Sequence, residues 1–250
     1  MPKTASTSLA NTLTQAIGAD KTVHLPDRHI DGLDTGIRRA HDQLRRFGVR
    51  LTHDVAGYSK RIVGRCDPTG DARFLHGHHP LWARIRTPRR RRHIIVFRDP
   101  IERFVSLYYY YLAKAERSTR PLGHEKRAII ELDPNDYVRW AIRNGLSRRL
   151  NSHCLYLSPM ATFADAKDVL EKKLLFAATL QDLPDLTASL SDFLGIDVPP
   201  VQRLNVGTRK GARDPLESKV ERVLREALEP DYRLYDYVRD NRARFLSTQV

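Results

Sequence analysis

The segment Pro2-Lys3-Thr4-Ala5-Ser6-Thr7-Ser8 runs directly into a helical pattern, and its residue types suit an anion. Free backbone N–H groups at a helix start, the helix dipole and the Ser and Thr hydroxyls converge on a negative ligand, and Lys3 adds a mobile point charge. The glycines of the nucleoside-triphosphate loop GxxxxGK[ST] are missing, so the segment is not of that type. The plainer alternative is a polar N-terminus with a capped helix. A second segment, Arg98-Asp99-Pro100-Ile101-Glu102-Arg103-Phe104-Val105-Ser106, follows an apolar run. An arginine at the carboxyl end of a buried strand sits where open α/β sheets bind ligands, and it can grip a phosphate with two hydrogen bonds. The alternative is a salt bridge from Arg98 or Arg103 to a neighbouring carboxylate. In His76-Gly77-His78-His79 an imidazole could act as a general base, and Gly77 permits close approach. A metal reading is weaker because no nearby Cys or carboxylate completes a ligand set. Surface histidines in a loop are the plain alternative. Finally, Arg203-Leu204-Asn205-Val206-Gly207-Thr208-Arg209-Lys210-Gly211 mixes glycines with cations, either as a lid over phosphate or adenine or as a basic surface loop.

These segments need elements to hold them. Leu9, Leu13, Ala16 and Ile17 fall on one face of a helix over 7–17. Thr22 to Leu25 reads as a short strand, and Ile37 to Phe47 as a helix stopped by Gly48. Residues 51–73 read as loop-rich, and Arg73 to His79 as a strand edge running into a loop. His93 to Phe97 is the clearest strand, a short apolar run of the kind buried in parallel sheets. Asp99 then serves as N-cap and Pro100 as first residue of a helix striped by Ile101, Phe104, Val105, Tyr108 and Leu112. Its tyrosines at 108 to 111 read as core. Asn135 to Arg143 and Phe163 to Lys173 read as helices, Leu174 to Thr179 as a second buried strand, and Leu186 to Leu194 as a helix ended by Gly195. Val198 to Gly211 reads as a loop. Leu216 to Leu228 and Tyr232 to Phe245 read as two closing helices. Strand, polar turn and helix repeat as βα units, so the expectation is a single α/β domain over 1–250.

Composition narrows the partners. Lys and Arg total 43 against 30 Asp and Glu, a formal charge of +13 that favours anions: nucleic acid, phosphorylated cofactors, or carboxylated and sulfated polysaccharides. No stretch reaches the roughly 18 apolar residues of a membrane helix, and no signal-peptide core is visible. The chain as given therefore reads as cytoplasmic. Two cysteines, Cys66 and Cys154, make neither a disulfide framework nor a metal cluster; two free thiols are the simple reading, with a single bridge as the alternative. The run Arg89-Arg90-Arg91-Arg92 reads as a solvated strand entry, with a nucleic-acid or nuclear-targeting patch as its alternative.

PKTASTS, HGH, RDPIERFVSLYYYYL and the basic glycine loop follow one another as in heparan sulfate 2-O-sulfotransferases and related uronyl 2-O-sulfotransferases. The tract LLFAATLQDLPDLTASLSDFLG also resembles the strand and helix that follow in that family, so the resemblance spans nearly the whole chain. It implies a parallel-sheet sulfotransferase domain of the P-loop nucleotide-kinase-like type, with helices on both faces. The implied donor is 3′-phosphoadenosine-5′-phosphosulfate (PAPS), with no metal. Lys3, Thr4, Ala5, Ser6, Thr7 and Ser8 would hold the 5′-phosphosulfate, and Arg98 and Ser106 the 3′-phosphate. His78 would be the catalytic base with His76 as helper, Lys3 would neutralise the leaving side, and Arg209, Lys210 and Gly211 would close over the donor. Arg117, Arg120, Lys126 and Arg127 would face an acidic glycan; a solvated basic loop is the alternative for these four.

Only Met1 precedes Pro2, whereas the family has a buried strand there. The expectation is a truncated first strand, with an upstream segment able to restore it or to carry a membrane anchor. Two other functions compete: an inactive sulfotransferase-like binding module, and a basic nucleic-acid-binding protein. Against the latter, no aromatics are interleaved with the basic residues for base stacking. Within the sulfotransferase reading, a lipid-linked sugar, a secondary metabolite or a protein tyrosine could replace the glycan.

Overall fold

A computed structural model of the chain describes residues 6–24, 74–76, 80–81, 92–117, 124–145, 150–201 and 215–247. Its centre is strand β3 (His93–Phe97) lying parallel to β4 (Leu174–Thr179). Both are continuous apolar runs, as strands covered on two faces must be. Ile95, Phe97 and Ala177 point into one cluster; Val96, Phe176 and Ala178 point into another. Between His93 and Ile94 the register slips, so that Leu175 is an extra residue and joins Phe176 on the same side. Such a bulge disturbs the strict alternation of a strand.

Helices cover both faces. On the first lie α5 (Ser152–Leu157), α6 (Phe163–Lys173), α9 (Glu229–Asp240) and α10 (Arg242–Leu246). On the second lie α1 (Ser6–Ile17), through Leu9 and Leu13, and α7 (Leu183–Leu194), through Leu186 and Leu190. A separate parallel pair, β1 (Thr22–His24) with β2 (Phe74–His76), adjoins α1, and Phe74 packs into the same second cluster. A third cluster joins α2 (Pro100–Glu116), α3 (His124–Glu131), α4 (Pro134–Arg143) and α8 (Ser218–Ala227) around Phe104, Tyr137, Val138 and Leu224. The architecture among the described residues is mixed α/β, mostly helical, with parallel strand pairs.

Local chemistry sets the boundaries. Asp99 accepts the Glu102 N–H at 2.9 Å and Pro100 opens α2, as its sequence predicts. Asp133 caps α4 by accepting from Asn135 and Asp136 N–H at 2.7 and 2.9 Å. Gly195, at φ 64°, ends α7 in the left-handed conformation that glycine tolerates best.

Two expectations need correction. Tyr232 to Phe245 is not one helix. It breaks at Asn241, whose side-chain amide donates to the Tyr237 carbonyl at 2.9 Å and competes with the backbone ladder. The tyrosines at 108 to 111 are not all core: Tyr108 is buried but Tyr110 is exposed, since four consecutive helical residues cannot share one face. Two short helices, α3 and α5, have no counterpart in the sequence reading. The predicted helix over 37–47 and the loop over 51–73 lie outside the described residues.

Candidate functional site

The β3–α2 turn carries the candidate residues that the structure describes best. Strand β3 delivers Arg98 at its carboxyl end, with the side chain 22% exposed. Arg98 Nε donates to Glu102 Oε2 at 3.1 Å, one helical turn on. The salt-bridge alternative therefore describes Arg98 in this state. Ser106 follows on α2, 8% exposed. The capping carboxylate of Asp99 has a second partner, because the Tyr232 hydroxyl donates to its two oxygens at 3.1 and 3.2 Å. Burial pushes the Tyr232 hydroxyl pKa up, and the Asp99 charge pushes it the same way. The Arg225 guanidinium stacks over the Tyr232 ring, 4.3 Å from its centroid.

Helix α1 approaches the same core. Leu9, in its first turns, shares a cluster with Val96, two residues before Arg98. Ser6 opens α1, Thr7 is exposed, and Ser8 is 4% exposed and so turned into the protein. Lys3, Thr4 and Ala5 lie outside the described residues. His76 ends β2, in register with His24 of β1. His78, Arg120, Arg209, Lys210 and Gly211 also lie outside. Arg117 closes α2 and is exposed; Arg127 is exposed on α3, the helix to which Lys126 also belongs. Among the described candidates, Arg98 and Ser106 belong to one βα unit, Arg98 just after its strand and Ser106 on its helix. Cys154 is buried and unbridged, as expected of a free thiol.

Beneath the turn lies a buried polar cluster that the sequence reading missed. Arg103, weighed there only as a salt-bridge partner, is 1% exposed and donates from Nη2 to the Leu150 carbonyl at 2.6 Å. Asp231, at the start of α9, accepts the His153 and Cys154 N–H groups at 2.9 and 2.8 Å, and so caps α5 from a distant part of the chain. Asn151 returns the link: its Oδ1 accepts the Asp231 N–H at 3.2 Å and its Nδ2 donates to the Ala227 carbonyl at 2.7 Å. Burial raises the Asp231 pKa to about 6, against the pull of Arg103 and the two N–H groups. Burial also holds His153 well below its ordinary value, with Arg103 adding to the effect. His153 meets the edge of Phe97 with ring centroids 5.3 Å apart. The Cys154 thiol is driven up by burial and by Asp231, and donates to the Pro230 carbonyl at 3.3 Å. The partners in this cluster lie 47 to 80 residues apart in the chain, so no local pattern could have announced them.

Among the described residues, no group of three or more His, Cys, Asp or Glu side chains is arranged to hold a metal ion. No described helix is long and apolar enough to cross a membrane. Compared with known proteins, the chain matches no family model and no curated protein.

Proposed function

We propose that this chain is a PAPS-dependent sulfotransferase that transfers a sulfuryl group to a hydroxyl of an acidic glycan, on an α/β domain of the P-loop-like sulfotransferase type. The observation that carries the reading is Arg98, at the carboxyl end of a buried parallel strand and leading into a capped helix that bears Ser106. That is where an α/β protein binds a phosphate. The net charge of +13 suits both an anionic donor and an anionic acceptor.

In this scheme Arg98 and Ser106 take the 3′-phosphate. The Arg98–Glu102 pair is partly exposed and spaced i,i+4, a kind worth only about 0.3–0.5 kcal/mol, so a bidentate phosphate displaces it readily. Lys3, with Thr4 to Ser8, takes the 5′-phosphosulfate. His78 removes the proton of the acceptor hydroxyl, with His76 as helper. The acceptor oxygen–sulfur bond forms as the bond from sulfur to the 5′-phosphate oxygen breaks, and Lys3 neutralises the charge left on that oxygen. Adenosine 3′,5′-bisphosphate leaves, and His78 gives up its proton to solvent. Catalysis is then largely positioning and charge stabilisation. Arg209, Lys210 and Gly211 close over the donor, while Arg117, Arg120, Lys126 and Arg127 contact the glycan.

Two measurements test this reading. Calorimetric titration with adenosine 3′,5′-bisphosphate should give saturable binding that Lys3→Ala and Arg98→Ala each abolish. Labelled-sulfate transfer against a panel of desulfated glycosaminoglycans and bacterial polysaccharides should give turnover that His78→Ala abolishes while nucleotide binding survives. Failure of the unaltered chain to bind the bisphosphate would sink the donor assignment. Transfer at the normal rate by His78→Ala would sink the base assignment. Binding without transfer to any acceptor would leave a nucleotide-binding module in place of an enzyme.

A further inference from the structure

We infer that Tyr232 is a positioning residue for the Arg98 turn, and that it sets how strongly the chain prefers a nucleotide bearing a 3′-phosphate. The inference rests on the proposed function, in which Arg98 takes that phosphate. Its basis is a relay of hydrogen bonds. The Tyr232 hydroxyl donates to both oxygens of Asp99 at 3.1 and 3.2 Å. Asp99 Oδ1 also accepts the Glu102 N–H at 2.9 Å, and Glu102 Oε2 accepts from Arg98 Nε at 3.1 Å. In the unliganded chain one phenol on α9 thus reaches the guanidinium through the cap of α2, and the Tyr232–Asp99–Glu102 N–H part of the relay persists when a phosphate takes Arg98 from Glu102.

The phenol is itself fixed. Its neighbour Asp231 is fully buried and holds two N–H groups of α5, and Arg225 of α8 covers the ring. The O–H therefore meets Asp99 already oriented. Two consequences follow for an anion arriving at Arg98. The Asp99 side chain is confined to the rotamer that caps α2, which holds the backbone presenting Arg98. The donated proton also offsets the Asp99 negative charge, which would otherwise repel a phosphate at the adjacent residue. Both effects act at the 3′ end of the nucleotide and leave the 5′ end untouched.

Tyr232→Phe removes one oxygen and keeps the ring under Arg225. The full chain and this variant are titrated with adenosine 3′,5′-bisphosphate and with adenosine 5′-monophosphate, and their thermal unfolding midpoints are compared. The expected result is that bisphosphate binding weakens by about tenfold, monophosphate binding holds, and the midpoint falls by about 2–6 °C, as the loss of one hydrogen bond requires. The same substitution made in an Asp99→Asn background should have little further effect, because the charge that the phenol offsets is gone. An equal fall in affinity for both nucleotides would reduce Tyr232 to a general structural role and overturn the inference. So would an unchanged preference for the bisphosphate. If the unaltered chain binds neither nucleotide, the proposed function fails first and takes the inference with it, an outcome distinct from the other two.

Discussion

Replacing Asp231 by Asn should change how stability depends on pH, in a direction the buried cluster dictates. The Asp231 carboxyl titrates at about 6 in the folded chain, against an ordinary 3.8, because burial outweighs Arg103 and the two N–H groups that favour its charged form. Between these values the folded state holds more protons than the unfolded state, so stability falls as pH rises through about 4 to 6. Integrating the two titrations between about pH 4.5 and pH 7.5 gives a loss of about 2 kcal/mol over that interval. His153 works the other way: its folded pKa is depressed, so its contribution is present above its unfolded pKa and is lost as pH falls. The wild type alone would therefore show a blunted profile. Subtracting the Asp231→Asn variant removes what the two proteins share and leaves the Asp231 carboxyl together with its coupling to His153, whose Nδ1 lies 3.8 Å from Asp231 Oδ2. The assay is urea unfolding of both chains at the two pH values. On acidification the wild type should gain about 2 kcal/mol relative to the variant. A flat difference, or one of opposite sign, would refute the account of a buried carboxylate dominated by desolvation. Asp231→Ala should lose the same pH dependence and, by orphaning the His153 and Cys154 N–H groups, cost a further 2–6 kcal/mol or about 1–3 for each.

Other substitutions read other parts of the fold. Phe97→Ala empties a fully buried site on β3 and should cost about 3–5 kcal/mol, measured by urea unfolding. Gly195→Ala meets no atom within 4 Å of the new Cβ, so its cost of about 1–2 kcal/mol is backbone strain at φ 64° alone, and would appear as a lowered unfolding midpoint. Asp99→Ala removes both the cap of α2 and the acceptor of Tyr232. It should cost about 0.5–2 kcal/mol from the cap alone, with helix loss visible by circular dichroism on heating.

How much of this was legible beforehand follows from the range of each interaction. The sequence His93 to Pro100 carried its structure openly: an apolar run for the strand, then a capping carboxylate and a proline for the helix start, all within eight residues. Leu174 to Thr179 and the Gly195 stop were legible for the same reason. Helix α5 was not, because six residues hold too few turns for a pattern and its cap comes from Asp231. The break at Asn241 depended on one side-chain rotamer. At the candidate site, Arg98 and Ser106 could be read from their places after a strand. Tyr232 could not, since its partner Asp99 lies 133 residues away. The inward turn of Ser8 likewise depends on which face of α1 meets the strands, which the apolar residues Leu9 and Leu13 decide.

Cys154 has a use that follows from its surroundings. Its thiol is sealed against α9 and held in the unreactive protonated form, so an alkylating reagent can reach it only when α5 and α9 separate. In a Cys66→Ser background, the rate of labelling becomes a clock for that separation. Adding adenosine 3′,5′-bisphosphate to the same reaction would then report whether filling the proposed nucleotide site tightens the joint between the two helices.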